Sequence, residues 1–95
     1  METLESNRQA IRLNPDHAGS HLNLGATYNQ MGPYQRALES HKETLRLKAD
    51  KVEGHLNLGM TYLRLGDEGS ALEEYKILMK LDKESAGKLF NLIYE

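Results

Sequence analysis

The stretch His21-Leu22-Asn23-Leu24-Gly25-Ala26-Thr27-Tyr28 returns 34 residues later as His55-Leu56-Asn57-Leu58-Gly59-Met60-Thr61-Tyr62. Self-similarity at a fixed period of this length marks an array of like units, each burying its apolar face against a neighbour. Aligning residues 18–51 with 52–85 gives 13 identities in 34 positions, among them Gly32/Gly66, Ala37/Ala71, Leu38/Leu72 and Leu47/Leu81. Asn91, within Leu89-Phe90-Asn91-Leu92-Ile93-Tyr94, lies as far beyond Asn57 as Asn57 lies beyond Asn23, so the cycle opens a third time. The chain is therefore expected to be a stack, not one globule around a pocket. Its 95 residues would give an ordinary single core little apolar area.

Within each unit the period is that of a helix. His21, Leu24, Gly25 and Tyr28 fall at i, i+3, i+4 and i+7. Breaks come at Asn14-Pro15-Asp16, Met31-Gly32-Pro33, Lys48-Ala49-Asp50, Gly66-Asp67 and Asp82-Lys83-Glu84-Ser85. Proline disfavours helix in the residue before it, Asp16 suits an N-cap, and Gly32 suits a left-handed helix end. Six helices are predicted, over about 3–13, 17–30, 34–47, 51–65, 68–81 and 85–95, with joints short enough to make neighbours antiparallel. On the third helix Ala37, Leu38, His41, Thr44 and Leu45 are expected to face inward. Glycine inside a helix costs about 1 kcal/mol relative to alanine. Its presence at both Gly25 and Gly59 therefore points to close helix–helix approach, with Ala37 and Ala71 as small partners and Tyr28 and Tyr62 as anchors of the hairpins.

Bulk properties exclude several functions. A formal charge of −2 with no basic, aromatic-interleaved run argues against nucleic acid as a partner. The chain has no cysteine, hence neither a disulfide framework nor a thiol nucleophile. No apolar run approaches the roughly 20 residues of a membrane span, and Met1-Glu2-Thr3-Leu4-Glu5 does not resemble a signal peptide. A soluble, cytoplasmic chain is the expectation, with no membrane partner.

A 34-residue helix–turn–helix unit carrying Leu-Gly-x-x-Tyr, then Gly, then Ala-Leu, resembles the tetratricopeptide repeat. The resemblance implies an all-α, right-handed superhelical stack of antiparallel hairpins. Residues 18–51 and 52–85 would form two full repeats. Residues 1–17, ending in Asn14-Pro15, resemble the second helix of a preceding unit, and residues 86–95 the first helix of a following one. Some positions depart from the family pattern. His21 and His55 stand where a large residue such as Trp is frequent, and His41 where an aromatic is usual. Ala49 and Lys83 replace the closing proline, and Ile93 a small residue.

In that family the first helix of each hairpin lines a concave groove that receives a peptide or helix. By resemblance, the peptide-binding groove here comprises Leu22, Asn23, Ala26 and Asn29, then Leu56, Asn57, Met60, Leu63 and Arg64, then Phe90, Asn91 and Tyr94. The residues themselves add one argument. Leu56, Met60 and Leu63 form an apolar stripe distinct from that of Leu58, Gly59 and Tyr62, so this helix needs two covers. The second cover is either a ligand or a neighbouring helix. A C-terminal carboxylate clamp is disfavoured, because Leu22 and Gly87 stand where its cations belong; an apolar protein segment is expected instead.

Rival chemistry is thin. His17 and His21 have the i, i+4 spacing of two metal ligands, but no third ligand accompanies them. Ser20-His21 and Ser40-His41 are adjacent on their helices and do not face each other. The carboxylates Glu39/Glu43 and Glu73/Glu74 read as solvated faces. No catalytic residue, metal or cofactor is expected, and the chain is read as a non-enzymatic binding module. The alternative is a self-assembling structural module, because the first helix bears Leu4, Ile11 and Leu13 and the last bears Leu89, Phe90, Leu92, Ile93 and Tyr94. These could pair between molecules, head to tail, into a homo-oligomer.

Overall fold

A computed structural model of the protein describes residues 2–94, with side chains from Leu4 onward. The described residues form six helices: α1 Glu2–Leu13, α2 Ala18–Met31, α3 Tyr34–Leu47, α4 Val52–Arg64, α5 Glu68–Leu81 and α6 Lys83–Tyr94. Helices α2 and α3 pair as one hairpin and α4 and α5 as the next. Helix α1 packs on α2, α4 packs back on α3, and α6 lies against both α5 and α4. The molecule measures 37 × 25 × 18 Å. A 14-residue helix spans only about 21 Å, so the long axis runs across the stack. This is an all-α repeat solenoid.

Local chemistry explains the boundaries. Helix α2 is capped by His17 and not by the expected Asp16: His17 Nδ1 accepts the Ser20 backbone N–H at 3.2 Å and lies 2.8 Å from the Ser20 hydroxyl. The two hairpin turns then close differently. Gly32, at φ 110°, donates a single bond to the Tyr28 carbonyl at 2.9 Å, and the next residue is Pro33, which has no N–H to offer. At the equivalent turn Gly66, at φ 82°, donates to Leu63 at 3.0 Å while Asp67 N–H reaches Tyr62 at 2.8 Å, the paired Schellman closure. Asp67 then caps α5 by accepting the Ser70 N–H (3.1 Å) and hydroxyl (2.6 Å). The last joint is shorter than expected. Lys83, Glu84 and Ser85 form the first turn of α6, because Asp82 already serves as its start, accepting the Ser85 hydroxyl at 2.7 Å.

The core explains Gly25 and Gly59, although not through the alanines. A Cβ on Gly25 would sit 2.5 Å from the His41 ring, and one on Gly59 would sit 2.6 Å from Leu89 of α6. His41 and Leu89 are fully buried, as are Ala37 and Ala71, which fill the hairpin interiors elsewhere. Ala37, Ser40, His41 and Thr44 are the buried residues of α3, whereas Leu38 and Leu45 are half-exposed.

The repeated histidines are joint staples. His21 Nε2–H donates to the Pro15 carbonyl at 2.8 Å, and His55 Nε2–H to the Ala49 carbonyl at 2.7 Å, each reaching back six residues to hold the preceding connection. In the second unit the other nitrogen is also engaged: His55 Nδ1 lies 2.7 Å from Glu74 Oε1 in a buried pair. Glu74 is thus not part of a solvated face. Glu73 beside it is, paired with Lys76 in the open.

Candidate functional site

Two adjoining hollows are lined mainly by α2 and α4, with α6 at the far end of one. Ala26 and Asn29 of α2 and Asn57, Met60 and Arg64 of α4 line a single hollow of about 330 Å³. Gln30 and Tyr34, which were not among the expected groove residues, complete its wall. A second hollow of about 250 Å³ shares Met60 and Arg64 and continues past Leu63 to Leu92 of α6. Six of the twelve sequence-derived groove residues are therefore brought together.

The other six are not in these hollows. Leu22 is only 7% exposed and belongs to the core. Leu56 is half-buried and packs against the cluster of Leu78, Ala86 and Leu89. Asn23 and Asn91 are exposed, outside either hollow. Phe90 and Tyr94 lie on another face of α6: the Phe90 ring is 5.6 Å from Tyr75 of α5 and 4.8 Å from Tyr94. The reason is helical phase. Leu92 faces α4, and a residue two positions away on a helix is turned by about 200°. The same geometry settles how the second stripe of α4 is covered. Leu56, Met60 and Leu63 all pack against the α5–α6 cluster, while Met60 and Leu63 also line open space.

The floor of the polar hollow is wired into the core. The Thr61 hydroxyl lies 2.8 Å from the Asn57 carbonyl and 3.0 Å from the Asn29 amide oxygen, and Asn29 Nδ2 lies 3.3 Å from His41 Nε2. Whichever way the amide is turned, Asn29 spends one N–H on this network and keeps a second. Asn29, which lines the hollow, thus keeps a donor that this network does not use. Burial pushes the His41 imidazole down to about 4, so the ring is neutral and one of its nitrogens, Nδ1, has no partner among the described residues. Sequence spacing could not reveal this link, since Asn29, His41 and Thr61 come from three helices.

At the upper rim, Arg64 is exposed and its guanidinium stands 5.7 Å from the centre of the Tyr34 ring, a cation–π distance that joins the two units. Among the described residues neither hollow is lined by a His, Ser, Asp or Glu side chain. His17 caps α2 and His21 staples Pro15, which accounts for the i, i+4 pair. Among the described residues no three His, Cys, Asp or Glu side chains gather around a point. Nor is any helix long and apolar enough to cross a membrane.

Comparison with known proteins agrees with this architecture. The Arabidopsis OM64 TPR domain superposes with a TM-score of 0.89 at 17% identity, over 96% of this chain and 77% of that one. The crystal structure of MamA superposes with a TM-score of 0.80 at 24% identity, over 88% of this chain and 49% of that one, so this chain spans about half of MamA's length. At these identities the likeness is one of fold. No curated protein matches the chain in sequence. Family models described as tetratricopeptide repeat match residues 7–39, from α1 into α3, and residues 52–85, over α4 and α5. With most of its length so matched, the chain belongs to the tetratricopeptide repeat family, whose members are protein–protein interaction modules.

Proposed function

We propose that the protein is a non-enzymatic module that holds an apolar stretch of a partner polypeptide in the concave face of α2, α4 and α6. The observation that carries this reading is the hollow formed by Met60, Leu63 and Leu92: three apolar side chains from two helices converge on space that no part of the described chain fills. Leu92 is 45% exposed, a cost in water that an apolar ligand side chain would relieve. The neighbouring amides of Asn29 and Asn57 suit an extended backbone, whose carbonyls accept and whose N–H groups donate.

Panning a display library of random peptides on the protein tests the reading. Leu92 packs on nothing essential to the core, so Leu92→Asp should keep the melting temperature while losing the selected peptides. Peptides that bind this variant as well as the wild type would place recognition elsewhere. A second reading, self-association, is favoured by Phe90 and Tyr94, 43% and 58% exposed and stacked together away from the groove. Light scattering should then show mass rising with concentration, and Phe90→Lys should abolish the rise; a constant monomer mass would end this second reading.

A further inference from the structure

We infer that the groove selects a peptide carrying an acidic side chain within one or two positions of its apolar anchor, the carboxylate being received by Arg64. This rests on the groove reading above and adds to it the chemistry of the partner.

Arg64 lines both hollows, at the point where the apolar one passes into the polar one. Among the described residues it has no carboxylate within ion-pair distance: the ion pairs formed are Arg12–Glu5, Arg46–Glu43, His55–Glu74 and Lys76–Glu73. Its described neighbours in the polar hollow are Asn29, Gln30, Asn57 and Tyr34, all uncharged and all able to donate hydrogen bonds, and among the described residues no acidic side chain lines either hollow. An unpaired cation amid neutral donors is complementary to an acceptor-only group, and a guanidinium fork matches the two oxygens of a carboxylate. The Tyr34 ring beside it holds the guanidinium before any ligand arrives, and Asn29 lines the same hollow.

The number of charges identifies the anion. Phosphorylated ligands are read by clusters of arginines, and nucleic acid by many phosphate contacts, whereas this hollow holds one cation. One Asp or Glu side chain balances it. Because Met60 and Arg64 line both hollows, the acidic and apolar side chains of the ligand must be close in its sequence; an extended chain advances only about 3.3 Å per residue. The protein's own net charge of −2 supplies no long-range attraction for acids, so the preference is local to this pocket.

The test is a random-peptide display library panned in parallel on the wild type, Arg64→Ala and Arg64→Glu, with the bound pools sequenced. In the wild-type pool Asp or Glu should be enriched within two positions of a selected apolar residue. The enrichment should vanish on Arg64→Ala while the apolar selection persists, and Lys or Arg should replace it on Arg64→Glu. A synthetic peptide from the wild-type pool should bind Arg64→Ala about tenfold or more weakly. Apolar selection without acidic enrichment on the wild type, or acidic enrichment that survives Arg64→Ala, overturns the inference and leaves the groove reading standing. A wild-type pool with no apolar selection overturns both.

Discussion

Replacing His41 by Phe should remove most of the protein's loss of stability in mild acid. The His41 ring is fully buried against Gly25, and burial holds it neutral down to about pH 4. In the unfolded chain the same group takes up its proton near pH 6.5. Below that value the unfolded state binds more protons than the folded one, so stability falls as pH drops from 6.5 towards 4 and is fully present above 6.5. For these two values the loss is about 2 kcal/mol at pH 5 and negligible at pH 7. Phenylalanine has nearly the shape of the ring and cannot titrate; the second unit carries an aromatic, Tyr75, at the equivalent position. At pH 7.5 the variant should lie within about 1 kcal/mol of wild type, because the lost bond to Asn29 is offset by removing an orphaned buried nitrogen. Urea unfolding at pH 7.5 and pH 5, followed by circular dichroism, measures both. The wild-type midpoint should fall by roughly 0.7–2 M more than that of the variant between the two pH values. Parallel pH profiles would refute the argument, since the other histidines and all the carboxylates are common to both proteins.

Gly59→Leu should cost about 1–3 kcal/mol, because Leu89 and the Glu74 Cβ already stand where the side chain would go. Gly87→Ala, in open space on α6, should instead raise stability by up to about 1 kcal/mol; thermal melts of the two variants check the contrast. Glu74→Ala should destabilise by about 3 kcal/mol by stranding His55 in a buried site, whereas Glu73→Ala, which breaks only an exposed pair, should leave the denaturation midpoint where it is.

The number, type and approximate limits of the helices were legible before any coordinates, because they depend on signals that are local in the chain. A 3.6-residue apolar period and the punctuation of Gly32-Pro33 and Gly66-Asp67 act over one or two turns, and the 34-residue recurrence states outright that units stack. Where a boundary was misplaced, a nearer capping group had won, His17 over Asp16 and Asp82 over Ser85. Side-chain partnerships were another matter. That Gly25 makes room for His41, that Gly59 makes room for Leu89, and that Glu74 meets His55 are facts about residues 16 to 30 positions apart, on helices whose rotation about their own axes is set only when they pack. The groove shows the same division. Asn57, Met60, Leu63 and Arg64 share a face that helical spacing reveals. Gln30, Tyr34 and Leu92 join them from other helices; Leu22 departs into the core, and Phe90 and Tyr94 depart because packing against α4 and α5 turned α6 so that Leu92 faces the hollow.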